Sequence, residues 1–206
     1  MLLRRSLMLA TGAALGAAAL PRTLRAAPQV GAPAPAFTAT DSFGQPVRLQ
    51  GFAGKVVVLE WTNDGCPFVV KWYGGAMQAL QRDAAAMGAV WLSVISSAPG
   101  EQGHADGPRA NELTRARGAV PAHVLLDPRG DLGRMYGATV TPHIYVIGRD
   151  GTLGYMGGAD SIASTKVEDM ARATPHARDA VTAIAAGRPA PVPVTRPYGC
   201  TVKYAT

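Results

Sequence analysis

One cysteine stands where an apolar run ends and a helical pattern begins. Cys66 follows the run 55–61 and directly precedes Pro67, a residue that is tolerated at the first position of a helix. The thiolate is the reactive form of cysteine, and the unpaired N–H groups at a helix start stabilise it. Two interpretations follow from this pattern: Cys66 is a nucleophile with a lowered pKa, or it is an ordinary buried thiol.

The chain has only one other cysteine, so one pairing within the chain is possible, between Cys66 and Cys200. The segment 188–197 before Cys200 is rich in proline, and ten extended residues span about 30 Å, enough to cross a compact domain. Cys200 is therefore a candidate to attack an oxidised Cys66 and close a disulfide. Two alternatives stay open: a permanent structural bridge, which would stabilise the fold by about 5 kcal/mol, and no bridge.

The segments around Cys66 predict a mixed sheet covered by helices. The run 55–61, rich in β-branched residues, predicts a buried central strand. The apolar spacing after Cys66 predicts a helix that breaks at Gly74–Gly75. Further strands are predicted over 37–40, 45–49, 89–96, 123–126, 144–147 and 153–156, and further helices over 109–117, 131–136 and 167–186. Alternating strands and helices favour parallel pairing, and the two hairpins, one of them N-terminal, add antiparallel strands, so the fold class is α/β.

The first 26 residues have the pattern of an export signal. Arg4 and Arg5 precede an apolar stretch over 7–20, which is shorter than the roughly 20 apolar residues of a membrane span. Small residues follow, and we predict cleavage after Ala26. The paired arginines followed by Ser-Leu-Met favour the twin-arginine type. An ordinary Sec signal or a retained anchor is the alternative. Export predicts a periplasmic or other cell-envelope location.

Composition and charge indicate the type of fold and exclude one class of partner. With 48% apolar and 17% charged residues, the 206 residues predict a globular fold. We expect one domain over 27–187, followed by an extended tail over 188–206. Removal of residues 1–26 takes away four arginines and lowers the formal charge from +6 to +2. No basic run remains, which excludes nucleic acid as a partner.

Three motifs together point to a known family. The central strand runs into a loop that ends in Gly65-Cys66-Pro67, Thr141-Pro142 stands just before the hairpin at 144–156, and residues 30–37 form a Pro-rich lead-in. In these features the chain resembles the thioredoxin-like redoxins, on the peroxiredoxin-like branch near the alkyl hydroperoxide reductase and thiol-specific antioxidant family. The resemblance implies a thioredoxin-like fold, a redox role for Cys66, and a cis Pro142 within the site.

The same resemblance implies further roles. In an ungapped register Glu60 falls at the position of a buried carboxylate that relays protons in thioredoxins, whereas alignment on Trp61 places Leu59 there. Peroxiredoxins use an arginine beside the thiolate, for which Arg134 and Arg149 are available. An external thiol reductant, such as a thioredoxin-like donor, is the implied partner, and no cofactor or metal is implied. The oligomeric state stays open.

Two departures from the family pattern leave the substrate open. Val69 occupies the position of the second cysteine of thioredoxins, so dithiol exchange within that motif is excluded. Asn63 occupies the position where peroxiredoxins carry Thr or Ser. The sequence therefore predicts an exported thiol-dependent oxidoreductase that acts either on peroxides or on protein disulfides.

A binding module without redox chemistry is the competing function. The Sco-type copper chaperones share the thioredoxin fold and use two nearby cysteines with a histidine, and soft thiolates suit Cu(I). This chain lacks the local cysteine pair, and its histidines are scattered at positions 104, 123, 143 and 176. A catalytically inactive redoxin with a structural disulfide is the other form of this alternative.

Overall fold

The computed structural model describes residues 27–205, so the predicted export signal over 1–26 lies outside the described residues. The elements in chain order are β1 (Thr38–Asp41), β2 (Pro46–Arg48), β3 (Val57–Trp61), α1 (Pro67–Trp72), α2 (Ala76–Ala86), β4 (Val90–Ile95), α3 (Gly107–Ala116), β5 (His123–Leu126), α4 (Asp131–Tyr136), β6 (Val140–Thr141), β7 (His143–Ile147), β8 (Leu153–Gly157), α5 (His176–Ala185) and β9 (Cys200–Thr201). Within the described residues, no helix is both long enough and apolar enough for a membrane span.

Seven of the strands form one mixed sheet in the order β2-β1-β5-β4-β3-β7-β8. The strands β3, β4 and β5 are parallel, and their neighbours on both sides are antiparallel. The crossover helices allow the parallel pairs, whereas the tight turns between β1 and β2 and between β7 and β8 produce hairpins. The predicted α/β class, with its central mixed sheet and N-terminal hairpin, is confirmed.

The central strand β3 is buried along its whole length and separates two apolar layers. Val58 packs on one face with residues of α2 and α5, such as Leu80 and Val181. Leu59 and Trp61 pack on the opposite face, which α4 covers. Because β3 is covered on both faces, the sequence of this strand is continuously apolar except at Glu60.

Two predicted helices are interrupted in the structure. The break predicted at Gly74–Gly75 is confirmed, since α1 ends at Trp72 and α2 begins at Ala76. The single helix predicted over 167–186 is wrong in its first half: a 3-10 turn spans Val167–Ala171, and α5 begins only after Pro175. Proline disfavours helical geometry in the residue before it and has no N–H to continue the ladder.

The tail returns along the domain and crosses the end of the sheet. The N–H of Thr195 donates to the carbonyl of Met156 on β8, at 3.1 Å. Beyond Pro197 the chain forms β9, which pairs antiparallel with β6. The N–H of Ala98 then donates to the carbonyl of Lys203 at 2.7 Å. Main-chain hydrogen bonds therefore fix the tail before and after Cys200.

The core of β3 provides a test of the packing. We expect Leu59→Ala to lower the free energy of unfolding by about 2–5 kcal/mol, because a large buried side chain is removed and a cavity remains. Leu59 is fully buried, whereas Val70 on α1 is 57% exposed and serves as the control in Val70→Ala. Urea denaturation measures both variants, and equal losses in the two would contradict this assignment of the core.

Candidate active site

Cys66 caps the start of α1. Its backbone is extended, with φ −82° and ψ 119°, and Pro67 occupies the first helical position, as its fixed φ and missing N–H favour. The side chain is fully buried, and its S–H donates a hydrogen bond to the carbonyl oxygen of Thr141 at 3.1 Å. The sulfur therefore lies among polar main-chain atoms.

The cis-proline turn lies against this sulfur. The peptide bond between Thr141 and Pro142 is cis, which confirms the conformation that the resemblance implied. Thr141 ends β6, and its antiparallel partner in β9 is Cys200. Pairing in the short ladder thus places Cys200 directly opposite the residue whose carbonyl oxygen contacts Cys66. The structure brings all three predicted site residues together: Cys66, Pro142 and Cys200.

Gly199 allows this close pairing. Its φ is +147°, a conformation that L side chains rarely adopt, and a Cβ at this position would lie 1.9 Å from the carbonyl oxygen of Thr141. Only a glycine lets the tail approach β6 closely enough for Cys200 to pair with Thr141.

The two cysteines are free thiols that interact with each other, and their surroundings shift their pKa values in opposite directions. Burial raises the pKa of the Cys66 thiol, but hydrogen bonds from the Cys200 thiol, from the side chain of Thr141 and from the backbone of Val69 outweigh burial, and the pKa is lowered overall. Val69 lies in the first turn of α1, so part of this effect comes from the helix start.

The Cys200 thiol behaves in the opposite way. Burial, then the hydrogen bond and charge of Cys66, raise the pKa of Cys200 to about 11. Of the two sulfurs, Cys66 is therefore the one that loses its proton first as pH rises, while Cys200 keeps its proton and donates it toward the Cys66 thiolate. Cys200 is also partly exposed, whereas Cys66 is not. The two thiols are thus inequivalent in acidity and in access.

Asn63 shapes the loop before the nucleophile. Its side-chain oxygen accepts the N–H of Gly65 at 2.9 Å, and its amide donates to the carbonyl of Gln102 at 3.3 Å. The Gln102 side chain in turn donates to the carbonyl of Gly65 at 3.1 Å. The residue that replaces the Thr or Ser of peroxiredoxins therefore fixes the turn that leads into Cys66.

Glu60 lies fully buried on β3, beneath the junction of α1 and α2. Its carboxylate accepts hydrogen bonds from Tyr73 Oη (2.9 and 3.0 Å), Trp91 Nε1 (2.8 Å), Ser93 Oγ (3.1 Å) and Gln81 Nε2 (3.4 Å). Burial raises the pKa of Glu60, although the hydrogen bonds from Trp91, Tyr73 and Ser93 act to lower it. None of these described bonds reaches Cys66, so the role of Glu60 as a proton relay stays a prediction.

The two arginines that the resemblance made available contact other groups. Arg134 lies over the ring of Tyr204 at 4.8 Å and donates to the carbonyl of Ala205, so it holds the end of the tail. Arg149 donates to the carbonyl of Ala185 at 3.3 Å. The described contacts of both arginines therefore lie away from the Cys66 thiol.

The histidines are dispersed as well. His143 follows Pro142 and is buried, and burial lowers its pKa to about 4, so it is neutral at pH 7. His123 contacts Asp41 at 2.9 Å, and His104 contacts the carbonyl of Ser97 at 3.0 Å. Among residues 27–205, no group of three or more His, Cys, Asp or Glu residues is placed to hold a metal ion.

A buried polar cluster beside the site was not predicted from the sequence. Lys71 Nζ lies 3.2 Å from Asp160 Oδ2, with both side chains almost wholly buried, and 3.1 Å from Tyr198 Oη. The Tyr198 hydroxyl also donates to Asp160. The three residues come from α1, the loop after β8 and the tail, so no local pattern connects them.

The mixed sheet, the thiol at the helix start and the adjacent cis-proline define a redoxin of the thioredoxin fold. The chain belongs to the AhpC/TSA family, whose family model matches residues 30–156. No curated protein matches the chain significantly.

Solved structures share the fold. A hypothetical protein from Sinorhizobium meliloti 1021 is 22% identical, with a TM-score of 0.72 over 86% of this chain and 96% of the other. An uncharacterized conserved protein from Geobacillus kaustophilus is 23% identical, with a TM-score of 0.72 over 86% and 93%. A putative thiol:disulfide interchange protein DsbE from Chlorobium tepidum is 24% identical, with a TM-score of 0.52 over 63% and 85%.

The close approach at Gly199 gives a test of the paired thiols. We expect Gly199→Ala to displace β9, because the new Cβ would collide with the Thr141 carbonyl, and mild oxidation should then no longer link Cys66 to Cys200. Non-reducing mass spectrometry after oxidation measures the link.

The control for this variant is Gly187→Ala. Gly187 also has a positive φ, of +73°, but a Cβ there meets nothing within 4 Å. Gly187→Ala should therefore keep the link, and a link that forms equally in both variants would contradict the pairing.

The buried Glu60 predicts a pH-dependent stability. Because its pKa in the folded chain lies above the unfolded value of about 4.3, its contribution is fully present below that value and is lost as pH rises through the folded pKa. We expect the natural chain to lose unfolding free energy relative to Glu60→Gln as pH rises above about 4.3 and through the raised pKa of Glu60.

Urea denaturation at a series of pH values measures this difference. The control is Glu112→Gln, since Glu112 is exposed beside Arg109, and it should give a much smaller pH dependence. Parallel stability curves for the natural chain and Glu60→Gln would refute the prediction.

Proposed function

We propose that the protein is an exported thiol peroxidase in which Cys66 is the nucleophile and Cys200 resolves the oxidised product. The contact between an acidic, buried thiol and a partly exposed, protonated thiol carries this proposal. The family and the fold support thiol redox chemistry in general. The pattern of residues 1–26 supports export to the periplasm.

In the first step, the Cys66 thiolate attacks one oxygen of the peroxide. A sulfur–oxygen bond forms, the O–O bond breaks, and the second oxygen leaves as an alcohol or water after it takes a proton. The sulfur is oxidised to a sulfenic acid and the peroxide is reduced. The side chain of Thr141 and the backbone of Val69 in the first turn of α1 stabilise the thiolate, and the thiol of Cys200 donates to the same sulfur.

In the second step, Cys200 attacks the sulfenic sulfur of Cys66. A disulfide forms and water leaves, with the proton of Cys200 available to the departing oxygen. The pairing of β9 with β6 supports this step, because it keeps the two sulfurs adjacent before oxidation. An external dithiol of the thioredoxin-like class then reduces the disulfide and returns both thiols, with its own two sulfurs oxidised in exchange.

Access to the site favours a small oxidant over a protein disulfide. Cys66 is fully buried beneath β9 and the cis-proline turn. A peroxide can reach the sulfur after a local movement of the Cys200 side chain. A folded disulfide partner would need the main chain of β6, which β9 already occupies, and therefore release of the tail.

Two serine variants test the proposal. With hydrogen peroxide and dithiothreitol, we expect Cys66→Ser to reduce peroxide turnover to background, because serine lacks the thiolate. Cys200→Ser should still form a sulfenic acid at Cys66, which dimedone traps, but no disulfide. The rate of the first step should fall only when pH drops below a Cys66 pKa that lies under the usual value of about 8.5.

Other results would contradict the proposal in distinct ways. Undiminished turnover in Cys66→Ser would show that Cys66 is not the nucleophile. Absence of a dimedone adduct in Cys200→Ser would exclude the sulfenic step. A natural chain that leaves peroxide unreacted and exchanges readily with a folded protein disulfide would identify the other substrate class. If it does neither, the protein is a redoxin that binds partners without chemistry.

A further inference from the structure

A buried ionic cluster joins the tail to the helix that carries the nucleophile. We name Lys71, Asp160 and Tyr198 the tail latch. Lys71 lies on α1, five residues after Cys66, and Tyr198 lies two residues before Cys200. The ammonium of Lys71 contacts the carboxylate of Asp160 at 3.2 Å and the hydroxyl of Tyr198 at 3.1 Å.

Aromatic contacts strengthen the same connection. The ring of Tyr198 meets the ring of Phe68 edge to face, with centroids 5.6 Å apart. Lys71 Nζ lies 5.3 Å from the centroid of the Tyr198 ring. The first two turns of α1 therefore present both the nucleophilic sulfur and the docking position for the residue that precedes the second thiol.

A charged pair in this position requires an explanation. Desolvation makes buried ion pairs weak stabilisers, and apolar residues of similar size often do as well or better. Such pairs are more useful for fixing one arrangement of the chain, because each charge must find its partner when it is buried. Here the arrangement that the pair fixes is the path of the tail over α1.

We infer that the tail latch is a positioning device for the resolving thiol: Lys71, Asp160 and Tyr198 hold the tail so that the sulfur of Cys200 stays against Cys66 through the reaction cycle. This inference rests on the proposed function for its role in turnover. The positioning itself does not depend on peroxide chemistry and can be measured separately.

The tail latch acts by positioning Cys200, and not through an effect of the Lys71 charge on the pKa of Cys66. The groups that lower the pKa of Cys66 are the Cys200 thiol, Thr141 and the backbone of Val69 and Cys200, and Lys71 is not among them. A weakened latch should therefore change the reaction of Cys66 with peroxide only through the hydrogen bond from the Cys200 thiol, and this change should vanish above the ordinary thiol pKa of about 8.5, where Cys66 is ionised without that bond. Above that pH, only the formation of the Cys66–Cys200 disulfide should become slower and less favourable.

The variant Tyr198→Phe tests the inference with little risk to folding, because it removes one hydroxyl and keeps both the ring and the Lys71–Asp160 pair. Tyr136→Phe is the matched control. Its hydroxyl donates to the carbonyl of Pro35 at 2.8 Å, at the N-terminal lead-in. Both variants lose a tyrosine hydroxyl, but only Tyr198→Phe loses one that belongs to the latch.

The first measurement needs no peroxide. In dithiothreitol buffers of set ratio, the disulfide of the chain exchanges with the dithiol, and the reduced chain and cyclic oxidised dithiothreitol are the products. Loss of a hydrogen bond to charged partners should lower the equilibrium constant for the Cys66–Cys200 disulfide by about tenfold in Tyr198→Phe. Tyr136→Phe should match the natural chain. Equal constants for all three proteins would overturn the inference.

The second measurement follows the peroxide reaction by rapid quench and mass spectrometry. Above about pH 9, where Cys66 is ionised with or without the Cys200 donor, sulfenic acid at Cys66 should form at the same rate in all three proteins, while the disulfide should form about tenfold more slowly in Tyr198→Phe. Because the sulfenic acid persists, a second peroxide should convert more of it to sulfinic acid in that variant. A slower first step together with an unchanged disulfide step would contradict positioning.

The two measurements separate the inference from the proposed function. If the natural chain forms no sulfenic acid but the dithiothreitol constants still differ, the latch stands and the peroxidase proposal fails. If sulfenic acid forms and the dithiothreitol constants agree, the peroxidase proposal stands and the latch fails.

Discussion

The antiparallel pairing of Cys200 with Thr141 is the contact on which the rest of the site depends. It joins the end of the chain to the cis-proline turn, and that turn contacts the start of α1 through the Cys66 sulfur. The pairing of β6 with β9 determines the surroundings of both thiols. Without it, Cys66 would keep the helix start but would lose the thiol that donates to it, and Cys200 would be a cysteine on an exposed tail.

The difference in pKa between the Cys66 and Cys200 thiols follows from the same pairing. One site holds two thiols but stabilises one negative charge, because like charges in contact repel and a hydrogen bond needs one donor. The Thr141 side chain and the backbone of Val69 in the first turn of α1 favour the negative charge on Cys66 and not on Cys200. Cys200 then serves as the donor. The two thiols therefore have distinct roles before any oxidant binds: Cys66 carries the negative charge and Cys200 donates to it.

Much of the fold and part of the site could be predicted from local sequence. The β-branched run before Cys66, the Cys-Pro step and the hairpin at 144–156 depend on short-range physics, namely burial on both faces, helix capping and turn geometry. The helix over 167–186 was predicted too long, because apolar spacing continues through Pro175 whereas the backbone does not. Element boundaries depend on such single residues.

The tail latch could not be predicted in the same way. Lys71 lies 89 residues from Asp160 and 127 from Tyr198 in sequence, and a lysine on a short helix normally indicates a solvated surface. Its burial is decided by the tail that covers it, and the path of that tail has no periodic signal. Gly199 differs, because its residue type predicts a close approach of the tail, which the structure shows, although the Thr141 carbonyl as the partner could not be named from the sequence.

The return path of the tail also matters for solubility. Strand β8 is the last of its sheet and would present unpaired N–H and C=O groups to other molecules, a template for intermolecular pairing. Residues 193–195 occupy part of that margin through main-chain bonds with Met156. At the opposite margin, β2 is only three residues long and starts with proline. The segment that carries the second sulfur thereby also shields the sheet from self-association.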